Sequence, residues 1–104
     1  MPPGRKPTRT REEFVQAAIA YADEHGLDAL TVRALGNAMG ASSTAIYRYF
    51  RDKDELIVAM REELLTSALG EPIIVTDPGE ALVRVALAFR AAARAHPCLS
   101  QIMG

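Results

Sequence analysis

Apolar residues recur three and four positions apart along most of this chain, and glycine or proline separates the successive runs. Positions with that spacing lie on one face of an α-helix, whereas a half-buried strand alternates apolar and polar residues every second position. The chain contains almost no β-branched alternation of that kind. The pattern therefore predicts an all-α protein with five helices and the beginning of another after Pro97.

The first predicted helix begins at Thr10, whose hydroxyl is followed three residues later by the carboxylate of Glu13, the arrangement of a capping box. We expect this helix to run to His25 and to end at Gly26, because glycine adopts the left-handed conformation that closes a helix. Its predicted buried face consists of Phe14, Ala17, Ala18, Tyr21 and Ala22.

Two longer helices are predicted in the second half of the chain. One begins at Asp52 and continues to about Leu69. After a linker over residues 71–77, the other begins at Pro78 and continues to about Ala95, since proline is tolerated at the first helical position. This last helix is apolar on nearly every side, so we expect it to lie inside a larger core. The apolar stripe of the earlier helix is Leu56, Ile57, Met60, Leu64 and Ala68.

Between these parts, residues 31–53 contain two short helices joined by a glycine turn. Thr31 is a suitable N-cap for the first of them, and Gly40 supplies the residue that ends it. Its apolar face consists of Val32, Leu35 and Met39.

The second short helix has a buried seam and a polar outer face. Ser42 or Ser43 caps it, and Ile46 and Phe50, four residues apart, form the seam. The residues left on the outside are Ser43, Thr44, Tyr47 and Arg48, none of which is acidic. Two helices around a glycine turn are the outline of a helix-turn-helix, which places its second helix in the DNA major groove.

The run GASSTAIYRYF from Gly40 to Phe50, followed by Asp52 and Lys53, closely resembles the recognition segment of the TetR family of bacterial transcriptional repressors. The end of the first helix, EHG, and the start of the second, LTVR, are also similar to that family. The resemblance covers roughly residues 8–65 without a gap, which makes it more specific than a bare helix-turn-helix pattern.

Two positions depart from the family pattern. Ala41 stands where valine or threonine is commoner, and Gly36 stands in mid-helix where alanine is usual. The glycine is expected to cost about 1 kcal/mol of helix propensity. Neither residue lies on the presumed DNA face.

The resemblance implies a DNA-binding surface centred on the second short helix. Tyr47 is expected on a backbone phosphate, with Ser43 and Thr44 near base edges. Arg48 either contacts guanine O6 and N7 or holds a phosphate, and the sequence favours neither. Tyr49 is expected to be half-buried with its hydroxyl at the DNA edge. The residues expected at DNA are Arg9, Thr31, Arg33, Ser42, Ser43, Thr44, Tyr47, Arg48, Tyr49 and Lys53.

The charge distribution agrees with a nucleic-acid partner even though the net charge is −1. Residues 1–53 contain eight lysines and arginines against six acids, whereas residues 54–104 contain four against seven. Residues 1–11 include four basic residues and no acid. Such asymmetry is typical of a chain whose one end meets a polyanion. The alternative is a disordered tail that charge keeps soluble, and we favour a basic flexible arm that reaches DNA.

Other chemistry is poorly represented in the sequence. The single cysteine, Cys98, forms no internal disulfide, and with His96 it offers too few ligands for a metal site. His25 and His96 have no serine, cysteine or acid partner at a recognisable spacing, so we expect no enzymatic activity, metal or cofactor. No apolar run approaches the length of a membrane span and no signal peptide is present, which predicts a cytoplasmic protein.

These observations predict a basic arm over residues 1–9, a helix-turn-helix domain over 10–52, and the start of a helical ligand-binding and dimerisation domain over 53–104. We expect the N-terminal portion of a longer protein, a homodimeric repressor that a small-molecule effector releases from double-stranded operator DNA. The alternative is a helical protein–protein interaction module without DNA binding, because exposed apolar helices usually mark an interface.

Overall fold

A computed structural model of the chain describes residues 9–70 and 77–103, which form helices and no strand. The α-helices are α1 (Arg11–His25), α2 (Val32–Met39), α3 (Ser43–Tyr47), α4 (Lys53–Leu69), α5 (Pro78–Ala95) and α6 (Cys98–Met103). A short 3₁₀ turn, Leu27–Ala29, connects α1 to α2. The predicted all-α fold is confirmed.

Side-chain caps fix the beginnings of the first five helices. The predicted caps at Thr10 and Thr31 are confirmed, Ser42 rather than Ser43 caps α3, and Asp77, which the sequence placed in the linker, caps α5. At each of these sites a hydroxyl or carboxylate oxygen accepts a hydrogen bond from a backbone N–H of the first turn, which otherwise has no partner within the helix. Thr10 and Glu13 form the complete predicted capping box. The capping residues are Thr10, Thr31, Ser42, Asp52 and Asp77.

The core lies where α1 crosses α2, α4 and α6. Its largest fully buried side chains are Phe14, Leu30, Leu35, Ile46, Phe50, Leu56, Met60, Cys98 and Leu99.

The buried face predicted for α1 was partly wrong, because Val15 and Ile19 are buried while Ala17 and Tyr21 are only half-buried. The reason is that α6 packs on α1 beside Ile19, whose carbonyl contacts the Cys98 thiol. The buried stripe of α1 therefore faces α6, which lies far along the chain.

The prediction that the last long helix lies inside a larger core concerns a longer protein, and it stays a prediction here. No residue of α5 is buried, and Leu82 is 71% exposed. Phe89, Ala92 and Ala93 pack against the core along one side of the helix, where it crosses α4. Among the described residues, α5 has neighbours only on the side that faces α4. The helix is therefore exposed even though it is apolar.

Polar contacts join α6 to α1 and to the 3₁₀ turn. Oδ2 of Asp23 lies 2.7 Å from Nδ1 of His96, and Oδ1 of Asp23 accepts from the Cys98 N–H at 3.0 Å. The Leu27 N–H donates to Oε1 of Gln101 at 2.9 Å. The sequence showed no acidic partner of His96 at a recognisable spacing, and the fold supplies Asp23, which lies 73 positions earlier in the chain.

Two sequence features lie outside the described residues. They are the basic residues Arg5 and Lys6 and nearly all of the predicted linker, residues 71–76. Within the described parts of the chain, no helix has the length and apolarity needed to cross a membrane.

Candidate nucleic-acid interface

The turn between α2 and α3 is tight and is built around two glycines. Gly40 adopts a left-handed conformation with φ of 68°, as the sequence predicted. The Ala41 N–H then donates to the Gly36 carbonyl at 2.8 Å, which brings the turn back onto α2. A Cβ atom added at Gly36 would lie only 2.7 Å from the Ala41 carbonyl oxygen. Glycine at position 36 lowers the helix propensity of α2, but the turn requires it, since there is no room for a side chain.

The α3 helix is shorter than predicted but its seam is as expected. It ends at Tyr47, and the chain continues in a helical turn in which the Tyr49 and Phe50 N–H groups both donate to the Ile46 carbonyl, at 3.0 and 3.1 Å. Ile46 and Phe50 have no exposed surface. These two buried side chains fix which face of α3 is turned away from the core.

That outer face presents Thr44, Tyr47 and Arg48. The spacing of three and four residues places them side by side on one helical surface. All three are exposed, Tyr47 to 52%, while Ser43 is half-buried. No carboxylate of the described residues forms an ion pair with Arg48, whereas the neighbouring Arg51 lies within 4.0 Å of both Asp52 and Glu55. The face therefore offers hydroxyl, phenol and guanidinium donors without a competing acid, and such groups bind phosphates and base edges.

The capping hydroxyls lie at the two helix beginnings. The oxygen atoms of Thr31 and Ser42 accept from the Ala34 and Ala45 N–H groups at 2.9 and 3.1 Å. Because a hydroxyl has one donor besides its lone pairs, each can cap a helix and still donate to a phosphate oxygen. Arg33, in the first turn of α2, is exposed.

Lys53 lies at the first position of α4 and is half-buried. Its Nζ atom donates to the Leu27 carbonyl in the 3₁₀ turn at 3.1 Å. The ammonium group has three donors, so two remain for another acceptor. The structure thus gives Lys53 a structural bond that the sequence did not predict.

Arg9 and Tyr49 are brought together at the other side of the motif. The Arg9 guanidinium donates to the Met39 carbonyl at 3.0 Å, and the Tyr49 hydroxyl donates to the Arg9 carbonyl at 3.2 Å. Tyr49 is half-buried, as expected. Its hydroxyl, which is expected at the DNA edge, has a hydrogen-bond partner within the protein.

The Asp23, His96 and Cys98 cluster was missed from the sequence, where no spacing signals it. An ionised carboxylate can only accept hydrogen bonds, so Nδ1 of His96 carries the hydrogen. Partial burial raises the pKa of Asp23, but the hydrogen bonds from Cys98 and His96 outweigh it and hold that pKa below its usual range. Burial raises the pKa of the Cys98 thiol to about 12, and the Asp23 carboxylate adds to the rise. The cluster is a structural tie, and within residues 9–70 and 77–103 no group of three or more His, Cys, Asp or Glu side chains is arranged so that it could hold a metal ion.

Comparison with known proteins agrees with this geometry. Residues 14–60 match the family model of bacterial regulatory proteins, tetR family. The chain is 34% identical, over 95% of its length, to the HTH-type transcriptional repressor DrrR1 of Streptomyces coeruleorubidus, of which it covers 37%. It is 42% identical, over 58% of its length, to the HTH-type transcriptional repressor AcnR of Corynebacterium glutamicum, of which it covers 32%.

Solved structures give the same result. A TetR-family transcriptional regulator from Streptomyces coelicolor superposes with a TM-score of 0.79 at 26% identity, over 92% of this chain and 57% of its own. A possible TetR family transcriptional regulator from Streptomyces coelicolor A3(2) gives 0.78 at 36% identity, over 89% of this chain and 46% of its own. The chain thus spans about a third of the length of the curated relatives that it matches. By its helix-turn-helix residues and its fold, the chain belongs to the TetR family of bacterial regulatory proteins.

Proposed function

We propose that this chain is the DNA-binding part of a sequence-specific transcriptional regulator that represses genes by occupying an operator. The observation that carries the proposal is the outer face of α3, where Thr44, Tyr47 and Arg48 are exposed on a helix held by two fully buried side chains. The relatives DrrR1 and AcnR are HTH-type transcriptional repressors, which supports the same function. No enzymatic activity is included in the proposal.

The contacts divide into two groups by chemistry. Phosphate contacts, which set position and carry most of the salt dependence, are assigned to Thr31, Arg33, Ser42, Tyr47 and Lys53. Base contacts, which supply specificity, are assigned to Ser43 and Thr44. Arg48 takes one role or the other. Arg9 and Tyr49 bond at the end of α2 and to each other, and they are assigned a positioning role instead of a DNA contact.

The whole protein is proposed to act as a cytoplasmic homodimer. Two copies would place α3 in successive major grooves of a pseudo-palindromic operator, with half-sites about one helical turn apart. In the family, a small molecule bound in the C-terminal domain tilts α4 and changes the distance between the two recognition helices. Here Lys53 begins α4 and also holds the 3₁₀ turn, so movement of α4 would be transmitted directly to the DNA-binding residues.

Binding to labelled mixed-sequence duplex DNA over a range of salt concentrations tests the proposal. The chain should bind at low salt, with affinity falling steeply as salt rises, by a slope of about −0.9 for each phosphate that a lysine or arginine neutralises. Arg48→Ala should weaken binding. The matched control is Arg61→Ala on α4, outside the proposed contact set, which should bind like the unchanged chain.

Two results would contradict the proposal. One is a chain that binds no duplex DNA at low salt while remaining helical by circular dichroism. The other is equal weakening by Arg48→Ala and Arg61→Ala, which would show that only net charge matters. Either would favour the interaction-module alternative, in which the exposed apolar residues of α5 carry the function.

A further inference from the structure

Arg9 contacts both the end of α2 and the segment that follows α3. Its guanidinium donates to the Met39 carbonyl at the C-terminus of α2, and its carbonyl accepts from the Tyr49 hydroxyl just after α3. Both bonds are partly buried and join residues 30 and 40 positions apart. A residue that precedes the first helix therefore links the end of α2 to the end of α3.

The Met39 carbonyl is a favourable site for an arginine for reasons that do not involve DNA. The last carbonyls of a helix lack partners within the helix, and the helix dipole makes that end negative. The guanidinium supplies both a donor and a positive charge there. Arg9 is thus explained as a cap of α2, with one guanidinium N–H bonded to the last carbonyl of that helix.

Aromatic neighbours hold the Tyr49 side chain at the other end of this link. The Tyr49 ring lies 5.7 Å from the Phe14 ring and 6.4 Å from the Phe50 ring, centroid to centroid. Phe50 is the fully buried anchor of the α3 segment. Arg9 also lines a cleft of about 150 Å³ together with Ser42 and Arg48, so the link lies directly beside the proposed DNA face.

We propose that Arg9 and Tyr49 are positioning residues that hold α3 at its angle to α2, and that neither contacts DNA. The inference rests on the proposed function, since an angle between these helices matters for recognition only if α3 enters the major groove. It assigns to two residues a role in specificity that their charge and aromatic character alone would not indicate.

The test compares Arg9→Ala and Tyr49→Phe, alone and combined, in binding to two duplexes. One is the duplex that the unchanged chain enriches from a random pool, and the other is a scrambled sequence of equal length. Each single variant should lose roughly three- to tenfold in affinity for the enriched duplex, the scale of one hydrogen bond, with little change on the scrambled one. Tyr21→Phe, which removes a hydroxyl from a half-buried ring whose centroid lies 4.5 Å from that of His25, is the matched control and should bind normally.

Salt dependence and coupling separate positioning from direct contact. If Arg9 only positions α3, Arg9→Ala leaves the salt slope unchanged. The double variant then binds DNA no more weakly than the weaker of the two single variants, because both changes break the same link. If Arg9 neutralises a phosphate, Arg9→Ala weakens both duplexes and reduces the slope by about 1 while Tyr49→Phe is neutral, which would overturn the inference. A Tyr49→Phe variant that binds both duplexes equally more weakly would overturn it as well, by placing that hydroxyl on a phosphate.

Melting curves of each variant establish that it is folded. If the unchanged chain prefers no duplex, the proposed function fails and the inference fails with it; the outcomes above leave the proposed function standing.

Discussion

Asp23 on α1 and His96 at the end of α5 form a hydrogen-bonded pair, with Oδ2 and Nδ1 2.7 Å apart. The second oxygen of the same carboxylate accepts from the first N–H of α6. One side chain of the DNA-binding half therefore fixes both the end of α5 and the beginning of α6. Together with the hydrogen bond from the Leu27 N–H to Gln101, this tie connects the helix-turn-helix domain to the helices that follow α4.

The tie predicts that Asp23→Asn lowers stability in a pH-dependent way. Because the pKa of Asp23 is lower in the folded chain than in the unfolded chain, its ionised form contributes stability that is present above about pH 4 and is lost as pH falls through the folded pKa. We expect a loss of about 1–2 kcal/mol at pH 7, the scale of hydrogen bonds to a charged group, and a smaller difference near pH 3.

Urea unfolding at both pH values measures this effect. Asp28→Asn, at an exposed position of the 3₁₀ turn, is the control and should change little at either pH. A constant difference between the Asp23 variant and the unchanged chain across the pH range would contradict the account of the carboxylate.

Gly36→Ala should destabilise the chain, although alanine is the better helix former by about 1 kcal/mol. The new Cβ atom would lie 2.7 Å from the Ala41 carbonyl oxygen, so the turn must move. The net loss should be about 1–3 kcal/mol, visible as a lower midpoint in thermal unfolding. Gly79→Ala is the matched control, because its Cβ atom would meet Asp77 at an ordinary 3.5 Å. A more stable Gly36→Ala variant would show that the turn adapts freely.

Local features of this fold were predictable from the sequence because their partners lie within four residues. The caps at Thr10, Thr31 and Ser42 each bond to an N–H three positions ahead, so a short window contains the whole interaction. The same holds for the left-handed Gly40 and for the spacing of Ile46 and Phe50. The outward face of α3 followed from that spacing.

Contacts between distant residues could not be predicted in the same way. The sequence shows that Arg9 is basic and that α5 is apolar, but not that Arg9 meets Met39 or that the neighbours of α5 cover one side only. The pairing of Asp23 with His96 spans 73 positions and has no spacing rule. Charge and hydropathy indicate what a residue can bind, and the fold decides which partner it reaches.

Lys53→Ala should weaken binding to all DNA sequences equally and reduce the salt slope by about 1. The reason is that two of its three ammonium donors remain for a phosphate while the third binds the Leu27 carbonyl. Arg84→Ala on α5, whose guanidinium pairs with Glu80 at 3.4 Å, is the control and should leave the slope unchanged. An unchanged slope for Lys53→Ala would restrict Lys53 to its structural bond with the 3₁₀ turn.

Substitutions on α5 distinguish DNA binding from the interaction-module alternative. Leu82→Gln should change neither the stability of this chain, beyond about 0.5 kcal/mol, nor its affinity for DNA, because Leu82 is 71% exposed. Changes at Tyr47 and Arg48 should instead weaken DNA binding. If Leu82 and Phe89 substitutions abolish function while Tyr47 and Arg48 substitutions are neutral, α5 is the functional surface and the account is wrong.

Selection from a pool of randomised duplex DNA at low salt, followed by sequencing of what the chain retains, tests the central claim most directly. We predict enrichment of a defined half-site, and of a palindrome with half-sites about one helical turn apart if two copies bind together. A chain that is folded but retains no duplex, or that retains duplexes without any shared sequence, would contradict the claim that α3 is a sequence-specific recognition helix.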